Sequence, residues 1–507
     1  MRSRYLLAID NGSQSTKVCV VDEHGRVHAS AQRRLRPYDT SVPGHVVHPD
    51  DDLWDSIRDA CTETLERFAG DRDEIVAVGL CTIRFCRALL DAHGRLVEPV
   101  LSWMDVRVSR PHDAADPRVA HVTTSSGYLT HRLTGRFLDT RANYQGVWPI
   151  DQATAEWSAD PAAYVETGMP RALLSGLVSP GELLGTVTPE AAEATGIPAG
   201  LPVYATANDK AVEALGCGLR APDVALLSLG TYIAAMATGS APTARDAGYW
   251  VNFGSTPGEY LYESHGIRRG MWTVSWFRGL VDGGVARIEQ AAPGDAEALR
   301  ASSTEDLLNA EAAEVPPGCG GLVAIMDWLA PTEAPHRRGA LVGFDGTQGR
   351  AHIYRAILEG IALTMVGHVR AMEEGLRRRF SALLVSGGGS RSDLMMQILA
   401  DVFDLPTRRT AMPDAAGLGA AICAAVGSGI HPDWDTAVDE MVTAAEVFLP
   451  DPERVEVYRR SRRVYERLGD YTDPLFAFMD AQAPAVQPAA PYRAAPAGRP
   501  GRGGGAP

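Results

Sequence analysis

The sequence contains no apolar run of membrane-spanning length and no long run of basic residues in its body. A transmembrane helix needs about 20 consecutive apolar residues, so a membrane-spanning protein is not expected. The 63 acidic residues outnumber the 48 basic ones, which gives a net charge of −15. A broad surface for nucleic acid or for an anionic membrane is therefore not expected either.

Cysteine is scarce, and no two cysteines have the spacing of a zinc site. The seven are Cys19, Cys61, Cys81, Cys86, Cys217, Cys319 and Cys423. Most lie in apolar runs, which is typical of small core residues in a reducing compartment. The first residues are basic and lead directly into a short strand that ends in an acid, unlike a secretion signal. We therefore expect a cytoplasmic protein.

Residues 5–22 combine an apolar strand, a polar turn and a second apolar strand. Asp10 ends the first strand, which places a carboxylate at the rim of a sheet. Gly12 lets the turn backbone approach a ligand closely, and the turn supplies hydroxyls and N–H groups. Such a turn suits a phosphate chain with its magnesium, which prefers oxygen ligands. An ordinary hairpin with a polar turn is the alternative.

The same scheme recurs at residues 224–237, where Gly230-Thr231 separates two apolar strands. Two such hairpins indicate duplicated domains that hold a phosphate between their turns. Between the hairpins, Asp209 follows an apolar strand and precedes a helix, so it is either a cleft residue or a helix N-cap. Further on, Gly387-Gly388-Gly389 joins a strand to an apolar helix, which favours a nucleotide site over a flexible turn.

A further polar cluster is the segment Trp103-Met104-Asp105-Val106-Arg107. If the segment is extended, its ring, carboxylate and guanidinium point into one cleft. An aromatic face with bidentate polar groups suits the C–H and O–H surfaces of a sugar. A surface loop with one buried tryptophan is the alternative.

In this order and spacing, the two hairpins, the Asp209 stretch and the glycine turn resemble the FGGY carbohydrate kinase family of the actin-like ATPase superfamily. The resemblance to its xylulokinase and glycerol kinase members runs from about residue 5 to about residue 468. It implies an α/β fold of two duplicated actin-like ATPase (ribonuclease H-like) domains with a cleft between them. The N-terminal sugar kinase domain would span residues 4–221. The C-terminal, nucleotide-binding domain would span residues 222–475, and 507 residues with 45% apolar content suffice for both.

The resemblance also implies an ATP-dependent kinase that acts on a sugar, such as the ketopentose xylulose, or on a polyol, with ATP and Mg²⁺ as cofactors. It makes Asp209 the general base and Asp10 the residue that orients a magnesium-bound water. The nucleotide would contact Gly12, Ser13, Gln14, Gly230, Thr231, Gly388, Gly389 and Ser392. The substrate would contact Arg84, Trp103, Asp105, Arg107, Asp209 and Lys210.

Three departures from the family leave the identity of the sugar open. Phe85 stands where several relatives have a polar residue that contacts substrate, and only twenty residues separate Arg107 from Tyr128, where relatives have a longer helical insertion. Lys210 stands where many relatives have Gln, so an acidic sugar such as an aldonate is the alternative substrate. A non-catalytic actin-like ATPase module and a sugar sensor are the alternative functions, and assembly as a homodimer is left open.

The remaining predictions concern helices and the tail. Apolar periodicity predicts helices over residues 351–372 and 392–403, and a small-residue helix that begins near Asp414. A charged surface helix is expected over residues 452–468. Residues 482–507 are rich in Pro, Ala, Gly and Arg and are expected to be a disordered, dispensable tail.

Overall fold

The structure of the chain is a computed structural model that describes residues 4–242, 248–289, 304–410 and 414–482. Its strands are β1 Tyr5–Asn11, β2 Ser15–Asp22, β3 Val27–Arg34, β4 Ile75–Thr82, β5 Ala88–Leu90, β6 His121–Thr123, β7 Leu138–Thr140, β8 Gly176–Val178, β9 Leu183–Thr186, β10 Pro202–Ala205, β11 Val224–Leu229, β12 Ile233–Gly239, β13 Tyr249–Phe253, β14 Tyr260–Ser264, β15 Val323–Ile325, β16 Ala340–Val342, β17 Ala382–Ser386, β18 Thr407–Thr410 and β19 Ala444–Phe448. The α-helices are Asp52–Arg67, Ser125–Thr134, Pro161–Thr167, Pro189–Thr195, Asp209–Gly216, Gly270–Glu289, Thr304–Ala313, Arg350–Leu376, Asp393–Phe403, Ala415–Gly427, Trp434–Met441 and Pro452–Gln482.

The first large sheet is built around β1 and has the strand order β3-β2-β1-β4-β10-β9. Strand β1 pairs antiparallel with β2 and parallel with β4, and β4 pairs parallel with β10. The central strand is buried from Leu6 to Ile9, as expected for an apolar run covered on both faces. The register sets Asp10 opposite Lys17 on β2 and beside Cys81 on β4. Asp10 therefore lies near the end of the central strand, where the sequence predicted it.

The second large sheet repeats this connectivity, with the order β13-β14-β12-β11-β17-β18-β19. Strand β11 pairs antiparallel with β12 and parallel with β17, and β17 pairs parallel with β18. In both sheets a hairpin opens the sheet and its first strand lies beside a later parallel strand. The predicted α/β fold with a duplicated, actin-like arrangement is thus confirmed.

Two closely packed helices cover the first sheet. Helix Ala415–Gly427 follows β18 in the chain but packs on β1, β4 and helix Asp209–Gly216. A Cβ on Gly216 would lie 1.8 Å from the carbonyl oxygen of Ala415, so a larger side chain there would force the two helices apart. The sequence prediction of a small-residue helix made for close packing is confirmed at this contact.

The described residues divide into two compact units, one within residues 1–266 and 365–451 and the other within residues 267–364 and 452–507. This division does not fall at the predicted domain boundary near Ala221-Pro222, because both sheets belong to the first unit. The boundary itself stays a prediction.

The second unit has its own polar core. Arg355 and Glu359, one helical turn apart, form a buried ion pair with Nε–Oε1 2.8 Å, and the hydroxyl of Tyr458 donates to the same carboxylate at 2.8 Å. Helix Pro452–Gln482 runs 14 residues past the predicted end at residue 468. It continues because Arg337 pairs with Asp473 and because Phe476 is buried.

Two further findings concern the predicted tail and the question of membrane-spanning helices. Apart from Gln482, the tail predicted at residues 482–507 lies outside the described residues. No helix in the described ranges is both long and apolar enough to cross a membrane.

Candidate active site

Asp209 is the first residue of helix Asp209–Gly216, but it does not cap that helix. The N-cap is Asn208, whose side-chain oxygen accepts from the N–H of Ala211 at 3.0 Å. The Asp209 side chain is 30% exposed, and its Oδ1 accepts from the N–H of Lys210 at 2.9 Å. Burial raises the pKa of Asp209, while Arg84 and then Lys210 oppose the rise. The capping interpretation of Asp209 is therefore wrong, and its carboxylate is left for another role.

Arg84 lies beside Asp209, with 3.4 Å between Nε and Oδ1. Its two terminal nitrogens donate to the two carboxylate oxygens of Glu263 at 2.6 and 2.7 Å. Asn252 completes the group, because its amide oxygen accepts from Arg84 at 3.1 Å and its amide nitrogen donates to Glu263 at 3.1 Å. Burial opposes the charge on Arg84, but Glu263 and Asp209 leave its pKa raised overall. Most of the donors of Arg84 are thus used within the protein.

Sequence reasoning missed Glu263 and Asn252. Glu263 is fully buried on β14 in the run Tyr-Leu-Tyr-Glu-Ser, and Asn252 is buried on β13. A lone acid in an otherwise apolar strand was the available signal, because a buried carboxylate requires a partner.

The ammonium of Lys210 is engaged within the protein. Its ammonium donates to Glu213 Oε2 and to the hydroxyl of Ser228, each at 2.8 Å. Burial acts to lower the pKa of Lys210 and Glu213 acts to raise it. The pKa of Lys210 is raised overall. The structure therefore does not bring Lys210, Arg84 and Arg107 together as unpaired cations around one pocket.

Asp10 is a carboxylate among other carboxylates. Burial first, and Asp414 second, raise the pKa of Asp10 to about 8, while Lys17 opposes the rise. Lys17 itself lies 3.6 Å from Asp414. A cation bound next to Asp10 would favour the ionised form of this carboxyl group. The surroundings of Asp10 are therefore compatible with a cation site.

No three His, Cys, Asp or Glu side chains form a metal-binding group in the part of the chain that the structure describes. Magnesium at a kinase site does not need one, because it binds through one or two carboxylates, substrate phosphates and water. Asp10 fits that mode of binding.

The two hairpin turns are in place as predicted. In the first, the carbonyl of Ser13 accepts from the hydroxyl of Tyr38 at 3.0 Å, and the carbonyl of Gln14 accepts from the N–H of Leu35 at 2.9 Å. In the second, Gly230 and Thr231 connect β11 to β12, and Thr231 is exposed.

The glycine turn lies directly against the second hairpin. Gly387 has φ +82°, and a Cβ there would lie 2.6 Å from the carbonyl oxygen of Leu229 and 3.3 Å from the nitrogen of Gly230. Only glycine fits at this position, so the two turns can touch. Residues Gly388–Arg391 form a 3₁₀ helix, and the hydroxyl of Ser392 accepts from the N–H of Met395 at 3.2 Å as the N-cap of the next helix. The structure thus brings Gly230, Gly388 and Gly389 into one region.

The Trp103–Arg107 segment is not extended, and this part of the prediction is wrong. It folds into turns, because Asp105 binds the side chain of Arg107 through two bonds of 2.9 and 2.8 Å and also accepts from the N–H of Val46 at 2.8 Å. Asp105 is buried, whereas Trp103 is 48% exposed. The three side chains therefore do not share one direction: Asp105 and Arg107 hold the turn, and only Trp103 presents a free apolar face.

Replacing Asp105 with Asn is expected to act on stability. Burial raises the pKa of Asp105, but the bonds from Arg107 and Val46 outweigh it and bring the pKa to about 2. Since this pKa is depressed, the stabilisation is present above about pH 4 and is lost as the pH falls towards 2, where the carboxyl protonates in the folded state. We expect Asp105→Asn to lower the free energy of unfolding by on the order of 1–2 kcal/mol at pH 7, allowing for screening at the partly exposed Arg107. At a pH low enough to protonate Asp105 in the folded state, the substitution should have no effect on stability.

Thermal unfolding of both proteins as a function of pH measures this difference. Trp103→Ala is the matched variant, because it removes an exposed ring and should leave the melting temperature nearly unchanged. If Asp105→Asn instead raises the KM for sugar with no change in stability, Asp105 contacts substrate.

Two cavities of the first unit lie apart from this site. One of about 740 Å³ is lined by Asp51, Tyr128 and Arg132, and another of about 280 Å³ by Thr238, Glu259 and Trp434. Neither is lined by a residue that the sequence assigned to nucleotide or substrate. The candidate site is identified by its carboxylates and abutting turns.

Comparisons with known proteins identify the family of this chain. The N-terminal domain of the FGGY family of carbohydrate kinases matches residues 5–116 and 109–216, and the C-terminal domain matches residues 225–428. An uncharacterized sugar kinase of Escherichia coli K12, YgcE, is 46% identical over 474 residues, which cover 93% of this chain and 95% of that protein.

Solved structures have the same fold. A xylulose kinase from Rhodospirillum rubrum is 27% identical, has a TM-score of 0.76, and covers 94% of this chain with 100% of its own. A gluconate kinase from Lactobacillus acidophilus has a TM-score of 0.78 with the same coverage, but at 17% identity it shows the fold alone. The chain therefore belongs to the FGGY family of carbohydrate kinases and is a sugar or polyol kinase.

Proposed function

We propose that this kinase transfers the γ-phosphate of ATP to a hydroxyl of a neutral sugar, a ketopentose such as xylulose, or of a polyol, with Asp209 as the general base. The observation that carries the proposal is the pairing of charges around Asp209. Each of the cations that the sequence assigned to substrate has a carboxylate partner within the protein, while the carboxylate of Asp209 stays partly exposed.

The surroundings of Asp209 suit a base. A general base works best when its pKa approaches the operating pH, and burial moves the pKa of Asp209 upward from the ordinary value of an aspartate. Arg84 limits this rise and so favours the ionised carboxylate, which is the form that accepts the proton of an attacking hydroxyl. Its place at the start of helix Asp209–Gly216 also sets it on a rigid element.

The turns supply the phosphate contacts in this proposal. The backbones of Gly12, Ser13 and Gln14 on one sheet and of Gly230 and Thr231 on the other would line the β- and γ-phosphates, while Gly388, Gly389 and Ser392 would lie near the α-phosphate and adenosine. Phosphoryl transfer depends mainly on positioning and on neutralising charge. Asp10 would hold Mg²⁺ through water, and the ion when bound would offset the negative charge of the phosphates.

The choice of a neutral substrate rests on electrostatics. A sugar carboxylate bound in a partly buried site needs a cation that is not already paired. Arg84 is paired with Glu263, Arg107 with Asp105, and Lys210 with Glu213. The xylulose kinase is named for a neutral ketose, whereas the gluconate kinase, named for an aldonate, is related only by fold.

A coupled assay of ADP release tests the substrate class. The panel pairs neutral compounds, such as xylulose and glycerol, with aldonates, such as gluconate, at equal concentrations. We expect ADP release that depends on a neutral sugar or polyol. Release that depends only on aldonates would contradict the neutral class, and ADP release that no added sugar accelerates would favour the alternative of an actin-like ATPase module. Tight sugar binding without ADP release would favour a sensor. A cytoplasmic location is part of the same proposal.

A further inference from the structure

A buried polar cluster links the helix that begins at Asp209 to the second sheet. We define the Glu213 cluster as Lys210, Glu213, Ser228 and Ser386. Glu213 Oε1 accepts from the hydroxyl of Ser228 at 2.7 Å and from that of Ser386 at 2.6 Å, and Glu213 Oε2 accepts from the ammonium of Lys210 at 2.8 Å. The Lys210 ammonium also donates to Ser228 at 2.8 Å. One carboxylate thus holds three donors from three segments of the chain.

The two serines occupy a particular place in the sheet. Ser228 on β11 and Ser386 on β17 are direct partners in the parallel register, and both are buried. Ser228 lies two residues before Gly230, and Ser386 lies immediately before Gly387. The Glu213 carboxylate therefore binds the ends of the two strands from which the abutting turns emerge.

The charges of the cluster compensate each other. The Lys210 and Glu213 side chains are 19% and 14% exposed. Burial raises the pKa of Glu213, but Lys210 and the two serines outweigh it and leave the pKa lowered. Both groups are therefore ionised, and each has its partners in place. A buried ion pair adds little net stability compared with apolar side chains of the same size, so its presence calls for another reason.

We propose that the Glu213 cluster is a positioning device, which sets Asp209 in register with the two turns that receive the nucleotide. Lys210 follows Asp209 directly, so a shift of either turn acts through the serines and Glu213 on the residue next to the base. Neither Lys210 nor Glu213 contacts substrate in this arrangement. The inference rests on the proposed function, because it takes Asp209 as the base and the turns as the nucleotide site.

Two variants break the cluster at different points. Glu213→Gln removes the charge that holds Lys210, and Ser386→Ala removes only the link to the glycine turn while Lys210 and Glu213 stay paired. For Glu213→Gln we expect kcat to fall about 10- to 100-fold, because small displacements of a reacting group have effects of this size. The dissociation constant of ATP, measured without sugar, should rise for both variants, and the KM for sugar should stay near that of the wild type.

Control variants separate positioning from simple destabilisation. Glu359→Gln breaks an ion pair that is more deeply buried, at 5% exposure of each partner, in the other compact unit. It should lower the melting temperature without changing the affinity for ATP. Lys210→Arg keeps the charge and should retain most of kcat, whereas Lys210→Gln should behave like Glu213→Gln.

Three results would overturn the proposal. The first is wild-type ATP binding and wild-type turnover in the Glu213→Gln protein. If that protein does not fold, the same result in the Ser386→Ala protein counts instead. Another is a Lys210→Gln protein that changes only the KM for acidic sugars, since Lys210 would then contact substrate. The third is wild-type affinity for ATP in both cluster variants. If the wild-type protein shows no sugar-dependent ADP release, the proposed function fails, and the ATP titrations still decide whether the cluster orders the turns.

Discussion

Asp209→Asn is expected to fold, to bind ATP with nearly unchanged affinity, and to lose most of its turnover. The amide cannot accept the proton of the attacking hydroxyl, and general base catalysis commonly contributes about 10²–10⁴-fold. Folding should be preserved because Asn208, and not Asp209, caps the helix. The loss should appear in kcat rather than in the KM for sugar, as for an interaction made in the transition state.

Steady-state kinetics with the best substrate of the panel measures this effect, beside an ATP titration and a melting curve. Asp435→Asn is the matched control, because it makes the same chemical change in the first turn of another helix, at a side chain that is 83% exposed. It should keep wild-type turnover. An Asp209→Asn protein that retains about half of wild-type kcat would show that Asp209 is not the base.

Arg84→Met is expected to be the most destabilising single change at the site. It leaves the fully buried carboxylate of Glu263 with Asn252 but without its cation. Removing one partner of a buried pair typically costs about 3–5 kcal/mol, because the other charge stays buried without compensation. Glu263→Gln should cost less, since Arg84 would still have Asp209 beside it, and the double variant should recover part of the loss.

The same variant also tests the link between Arg84 and Asp209. The positive charge of Arg84 lowers the pKa of Asp209, so its removal should raise that pKa further and shift the acidic limb of the kcat profile to higher pH. Arg84→Lys, which keeps a charge, should shift the limb less. Unfolding in denaturant and a pH–rate profile measure the two effects. An Arg84→Met protein as stable as the wild type, with an unshifted limb, would contradict the pairing.

Local patterns predicted much of this molecule. Both hairpin turns, the glycine turn and the helix after Asp209 lie where the sequence placed them. These features depend on apolar runs and on glycines at turns, which act over a few residues and are therefore visible in the sequence.

The partners of the charged residues could not be predicted in the same way. Arg84 and Glu263 are 179 residues apart, and Glu213 and Ser386 are 173 apart, so only the packing of the two sheets brings them together. The prediction of an extended Trp103–Arg107 segment was wrong for a different reason. The alternation of its side chains suggested an extended chain, but a bidentate ion pair between residues 105 and 107 closes a turn instead.

The measurement that most directly tests the proposed function is the detection of its product. The wild-type protein is incubated with ATP, Mg²⁺ and the neutral sugar or polyol that releases most ADP in the panel, and the products are identified by mass spectrometry and counted against ADP. We expect one phosphorylated sugar for each ADP, and almost none with Asp209→Asn at equal occupancy by ATP. ADP without a phosphorylated sugar, or a phosphorylated sugar formed by Asp209→Asn at the wild-type rate, would contradict a sugar kinase that uses Asp209 as its base.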